Sequence, residues 1–255
     1  SRLAGWLREE GVADAFAQPE EPRFAFVQAL AKPDPAFAMP KAEGTSPFEL
    51  RFIFSYFADY GDPLIDPDVK SYPEGLLQRL AAAGVNGVWV HTVLRTLAKA
   101  PAFPEFGEDS EKRIAGLRTL VARAKKYGID VYLYMNEPRA MHASFFEARP
   151  ERAAMRGVAS TADGSERLCT SNPEVRRWMS DALASVFKQV PGLGGVFTIT
   201  ASENPTSCAS HRQQAKCERC KLRSYADIIA EVNATIAQGV ACGNPKAKTI
   251  VWDWR

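Results

Sequence analysis

Three stretches of this chain share one pattern, in which a helix-forming run closes on glycine and passes almost at once into a short apolar strand. They read AAAGVNGVWV from Ala81, AKKYGIDVYLY from Ala124 and VPGLGGVFTI from Val190. Glycine at a helix end supplies a left-handed C-cap, and the β-branched or aromatic run behind it fits a strand buried on both faces. Strands expected at Glu49 to Tyr56, Gly87 to Thr92, Asp130 to Met135, Gly195 to Thr200 and Thr249 to Trp254 alternate with helices expected at Pro73 to Ala83, Ser110 to Tyr127, Pro173 to Gln189 and Ser224 to Gln238. That order specifies an α/β fold with a parallel sheet and right-handed crossovers.

The loops leaving the strands, Val93 to Ser110, Asn136 to Asn172 and Ser202 to Arg223, are long, polar and aromatic. Loops of that kind at one end of a parallel sheet are the working face of a (β/α)8 TIM barrel. No glycine-rich phosphate fingerprint follows the first strand, which runs out through Tyr56-Phe57-Ala58-Asp59-Tyr60, so no nucleotide and no organic cofactor is expected. Five strands are visible, so residues 48–255 are expected to hold the first five β/α units of a barrel only partly contained in this chain. Residues 1–47 are expected to be a helical and irregular segment, the end of a preceding domain. An open sheet edge is a liability, and the rest of the barrel or an oligomer partner is expected to cover it.

Lys and Arg number 32 against 30 Asp and Glu, a net charge of +2 without single-sign blocks, so neither nucleic acid nor an anionic membrane is implied as a partner. No apolar run approaches the roughly 20 residues of a membrane helix, and Ser1 to Arg8 lacks the apolar centre of a secretory signal. A soluble chain is expected, either cytoplasmic or exported with its leader absent from this sequence.

The segment from Gly194, GGVFTITASENPTSCASHRQQAKCERC, carries most of the chemistry. Glu203 stands where an apolar strand hands over to its loop, a place where the strand fixes a carboxylate and the loop admits substrate. Alternation within the strand is expected to turn Thr198, Thr200 and Ser202 toward the barrel axis and Phe197 and Ile199 toward the helices. On the preceding strand, Tyr132, Tyr134 and Asn136 are expected on the axis side, with Glu137 just beyond. Glycoside cleavage needs a carboxylic acid to protonate the leaving oxygen and a second carboxylate as nucleophile or base. Neighbouring strands are about 4.8 Å apart, so Glu203 and Glu137 are candidates for such a pair; Asp253, between Trp252 and Trp254, is a third catalytic candidate, since carboxylates flanked by aromatics combine stacking with hydroxyl recognition. Capping or an ion pair is the alternative for Glu203, and pairing with Arg139 or Arg149 that for Glu137. His91, Asn136, Arg139, Asn204 and the two tryptophans are expected to bind substrate. Arg51 and Asp59 are possible anchors, or Arg51 satisfies a buried carboxylate.

Behind Glu203 come Cys208-x2-His211-x5-Cys217-x2-Cys220. These four are expected to be the ligands of a closed, structural zinc site, with a disulfide or free thiols as alternatives. Cys169 and Cys242 read as ordinary buried thiols, although the long loop around Cys169 is able to bring it to the cluster.

Arg51 in ELRFIFSYF, Trp89-Val90-His91, the YGIDVYLYMNEP strand, a fourth strand ending in an acidic turn and a tryptophan-bearing fifth together resemble the catalytic barrel of glycoside hydrolase family 20, the β-N-acetylhexosaminidases, over roughly residues 48–255. That family ends its fourth strand in an Asp-Glu pair, with Glu as general acid and Asp orienting the acetamido group. Ser202 and Glu203 stand there in this chain, so the resemblance implies the acid without the orienting carboxylate. Asn136-Glu137-Pro138 also resembles the acid/base motif of another barrel hydrolase clan, in which it ends the fourth strand rather than the third. The expectation is a glycosidase acting on a glycan by carboxylate acid/base catalysis, with a hexosaminidase-type exo-glycosidase as its finer form. A catalytically inactive carbohydrate-binding barrel and a metal-dependent hydrolase are the competing classes.

Overall fold

The computed structural model of the chain describes residues 30–37, 46–54, 61–66, 71–159, 164–201 and 204–252. Within them, strands β1 (Phe52–Phe54), β2 (Gly87–His91) and β3 (Asp130–Met135) precede a second group, β4 (Met141–His142), β5 (Arg156–Ala159) and β6 (Ser165–Leu168), before β7 (Gly195–Ile199) and β8 (Lys248–Trp252). Two sheets result. One is five-stranded and wholly parallel in the order β1-β2-β3-β7-β8, and the other is a small antiparallel sheet in the order β4-β6-β5. The parallel sheet is open among the described residues, with β1 and β8 as its edges; no barrel closure is present there. The expected N-terminal segment lies mostly outside the described residues.

The helices are α1 (Glu74–Ala82), α2 (Leu94–Leu97), α3 (Ser110–Lys125), α4 (Ala143–Glu147), α5 (Pro150–Ala153), α6 (Pro173–Gln189) and α7 (Tyr225–Gly243). Helix α6 illustrates why they form. Asn172 caps it by accepting from the Glu174 N–H at 2.8 Å, Pro173 occupies the first turn, and Val175, Trp178, Met179, Ala182, Leu183, Val186 and Phe187 recur at helical spacing to make one buried face. It packs on α7 at Gly239, where a Cβ would stand 2.6 Å from the Ser180 carbonyl oxygen. No helix among the described residues is long and apolar enough to cross a membrane.

Parallel register decides which side of the sheet each residue faces. Trp89 pairs with Tyr132, Tyr134 with Phe197, and Ile199 with Trp252, so these share one face. Val88, Val90, Val131, Leu133, Met135, Val196 and Thr198 point the other way; the apolar ones join the main core with Leu117, Leu183, Val186 and Phe187 from the helices. This corrects the expectation for β7. Phe197 shares the face of Trp89 and Tyr134, away from the helices, and Thr198 is buried on the helix side, where its hydroxyl donates to the Met135 carbonyl at 3.1 Å. A small polar side chain is accommodated there because a strand carbonyl takes its proton.

The expected loop from Asn136 to Asn172 is a folded insertion rather than irregular chain: it holds the whole antiparallel sheet and helices α4 and α5. Its floor is aromatic, with Phe145 stacked on Phe106 at 5.7 Å and the Arg152 guanidinium 4.3 Å from the Phe145 ring centroid.

Candidate active face and thiol cluster

The face of the parallel sheet away from the helices carries a continuous aromatic tier. Phe54 stacks on Trp89 with centroids 3.8 Å apart, Trp89 lies 4.7 Å from Tyr134, Tyr134 5.4 Å from Phe197, and Phe197 stacks on Trp252 at 5.6 Å. It spans all five strands. Trp252 is 49% exposed, so the tier opens at the β8 edge.

At the carboxyl ends of β2, β3 and β7 a row of polar side chains sits beyond this tier. An Arg139 guanidinium nitrogen lies 2.8 Å from His91 Nε2 and 3.4 Å from Asn136 Oδ1, and the Asn204 amide donates to that same Oδ1 at 3.5 Å. Arginine only donates, so Nε2 of a neutral His91 accepts and its ring proton sits on Nδ1. Asn136 is fixed from below by donating to the Ile199 carbonyl at 2.9 Å. Arg139 Nε is buried with no hydrogen-bond partner among the described residues, an unusual state for a guanidinium donor. A cavity of about 180 Å³ lined by Asp62, His91, Thr92, Thr96 and Arg113 adjoins the row at the end of β2.

Glu137 is engaged differently. It is fully buried; one carboxyl oxygen accepts from the Leu94 N–H at 2.7 Å and the other from the Arg139 N–H at 2.9 Å. The carboxyl thus ties the start of α2 to the turn after β3. It meets the backbone of Arg139 rather than its guanidinium, and Arg149 pairs with Glu151 at 3.9 Å. Burial pushes its pKa above the usual carboxylate range, against the lowering effect of the two N–H donors and of Arg139 and Arg95 nearby.

Arg51 is not at this end of the sheet. It precedes β1, at the amino edge, where its guanidinium donates to the carbonyls of Gly84 and Phe48, each at 2.6 Å. A strand's first residue in a parallel sheet is a strand length away from the carboxyl face, and the parity of an arginine does not reveal which end it serves. Glu203, Asp253, Trp254 and Asp59 lie outside the described residues.

The thiols form a second centre. Cys169, Cys208, Cys217 and Cys220 are all buried, none more than 4% exposed, and their sulfurs lie within 4.8 Å of one another. Cys169 Sγ is 3.7 Å from both Cys217 Sγ and Cys220 Sγ. His211 stands outside this group. The loop reverses through positive φ at His211 and Arg212, which leaves His211 exposed with its Nδ1 3.4 Å from the Arg167 guanidinium. Cys169, delivered from the end of β6, is the fourth member of the group. Cys242, expected to be buried, is exposed on α7.

No protein-family model and no curated protein matches this chain. Among solved structures it is similar to a GH138 enzyme targeting pectin rhamnogalacturonan II, with 16% identity over 66% of this chain and 17% of that one at a TM-score of 0.42. A β-N-acetylhexosaminidase matches with 16% identity over 71% of this chain and 43% of that one at 0.45. A GH5_18 protein from Bifidobacterium longum subsp. longum in complex with Manβ1-4GlcNAc matches with 14% identity over 79% and 43% at 0.46. This chain spans between 17% and 43% of the length of these three. None of these likenesses assigns a reaction or a substrate to it.

Proposed function

We propose that the chain acts on carbohydrate as a glycosidase, with the carboxyl end of the parallel sheet as its binding face. The observation that carries this reading is the polar row His91, Arg139, Asn136 and Asn204 set at the rim of an aromatic tier that spans five strands. Sugars present both a C–H face that packs on rings and a circle of hydroxyls that needs planar, fixed donors and acceptors. Both requirements are met within one patch.

In this reading Glu203, four residues beyond the end of β7, is the proton donor. Glu137 already gives both oxygens to backbone N–H groups, so it serves as a positioning residue for the two loops. The second carboxylate is then assigned to Asp253, next in sequence to Trp252 on the strand paired with β7. Turnover would proceed by proton transfer to the leaving oxygen and attack of water or carboxylate at the anomeric carbon. The hexosaminidase-type exo-glycosidase is the finer form of the proposal, supported by the order of sequence motifs alone.

The same engagement of Glu137 favours a second reading, a carbohydrate-binding protein without turnover. A panel of aryl glycosides assayed with wild type and Glu203→Gln separates the two. The hydrolase reading expects release of aryl alcohol from at least one glycoside, with turnover falling about 10²- to 10⁴-fold in the variant while binding is kept. Saccharide binding without release by wild type would establish the binder, and absence of both would remove carbohydrate altogether.

A further inference from the structure

We propose that Cys169, Cys208, Cys217 and Cys220 hold a zinc ion as a closed tetrathiolate site that fastens the insertion to the loop following β7. The inference is independent of the carbohydrate reading. Zinc–thiolate bonds are about 2.3 Å long, and a regular tetrahedron of that size has sulfur–sulfur edges of about 3.8 Å. The two distances from Cys169 Sγ are 3.7 Å, the spacing a metal centre requires and far beyond the roughly 2.05 Å of a disulfide. Free thiols used only as small apolar side chains have no reason to bring all four sulfurs together.

The surroundings fit the charge and the shape of such a centre. Four thiolates around Zn²⁺ leave a net charge of −2, and two arginines flank the group. Arg167, 2% exposed, reaches Gln213 Oε1 at 3.1 Å in the same loop, and Arg223 donates to Ser171 Oγ at 2.6 Å. Ser171 Oγ in turn lies 3.2 Å from Cys220 Sγ, a hydroxyl placed to donate to a ligating sulfur, as outer partners of metal ligands do. Gly157 on β5 gives Cys208 its room, because a Cβ there would stand 2.6 Å from the sulfur. Among the described residues no carboxylate or imidazole belongs to the group, and an all-sulfur set with four protein ligands suits a closed structural zinc site, iron being the other ion such a set takes. Loading forms four Zn–S bonds and releases the four thiol protons to solvent, with no change of oxidation state.

The test uses the full chain purified without added metal under reducing conditions. Elemental analysis is expected to find about one zinc per chain in wild type and in His211→Ala, falling to less than about a tenth in Cys169→Ser. If Cys169→Ser does not fold, two measurements on wild type decide the matter. Cobalt exchanged into the site is expected to give the visible bands of a tetrahedral tetrathiolate, and iodoacetamide is expected to label Cys242 alone until a chelator and denaturant expose the other four. A disulfide among the four, iron in place of zinc, a metal-free chain with all four thiols reduced, or His211→Ala losing zinc as fully as Cys169→Ser would each overturn the proposal.

Discussion

Glu137 has no spare oxygen, and its behaviour follows from that. Replacing it with glutamine sets an amide N–H₂ against a backbone N–H, so Glu137→Gln is expected to cost about 1–3 kcal/mol in urea unfolding. Its pKa is raised in the folded chain, so between the ordinary carboxylate range and the folded value the native state binds more protons than the unfolded one. The contribution of this group is therefore full in acid and is lost as pH rises through the folded pKa. Wild-type stability relative to Glu137→Gln should accordingly be greater near pH 4 than near pH 8; a difference growing with pH would contradict it. Arg139 belongs to the recognition row instead, and Arg139→Ala is expected to weaken saccharide binding about 10- to 100-fold by calorimetry, the scale of a charged hydrogen bond. Residue type and place beside a strand end picked out His91, Asn136, Arg139 and Asn204 in the sequence, and the structure brings these four side chains together. Cys169 was legible only as a thiol that its long loop is able to bring to the cluster: it lies 48 residues before Cys217, and spacing rules see only near neighbours, so His211 was read into the group instead.

Elements with strong periodicity were legible almost residue by residue. Helix α6 and strand β3 run over the residues that their patterns predict, because a cap, a proline and a seven-residue apolar face agree in one case and a continuous apolar run in the other. The insertion was not legible, since strands of two to four residues such as RGVA and SERL carry no alternation, and their pairing is set by the fold around them. Assignment of β7 failed on a premise, that its polar residues face away from the helices; that face carries rings instead, and parallel register with β3 settles the matter. The insertion's dependence on the thiol group can be probed at Gly157. Gly157→Ala crowds the Cys208 sulfur and is expected to lower stability by about 1–3 kcal/mol, read as a drop in melting temperature.

Among the described residues the parallel sheet is open at both β1 and β8, with Val251 47% and Ile53 46% exposed at opposite sides. We expect the 255-residue chain to self-associate through such an edge unless something covers it, and Val251→Lys to reduce the association seen by light scattering, as charge on an edge strand does. The aromatic tier has an optical consequence. Trp89 lies inside it against Phe54, Trp252 at its exposed margin, and Trp178 in a separate buried packing of Phe103 and Phe106. A guest settling on the rings would change the emission of the first two and leave that of Trp178 unchanged, so among the described tryptophans two would report occupancy without an attached dye.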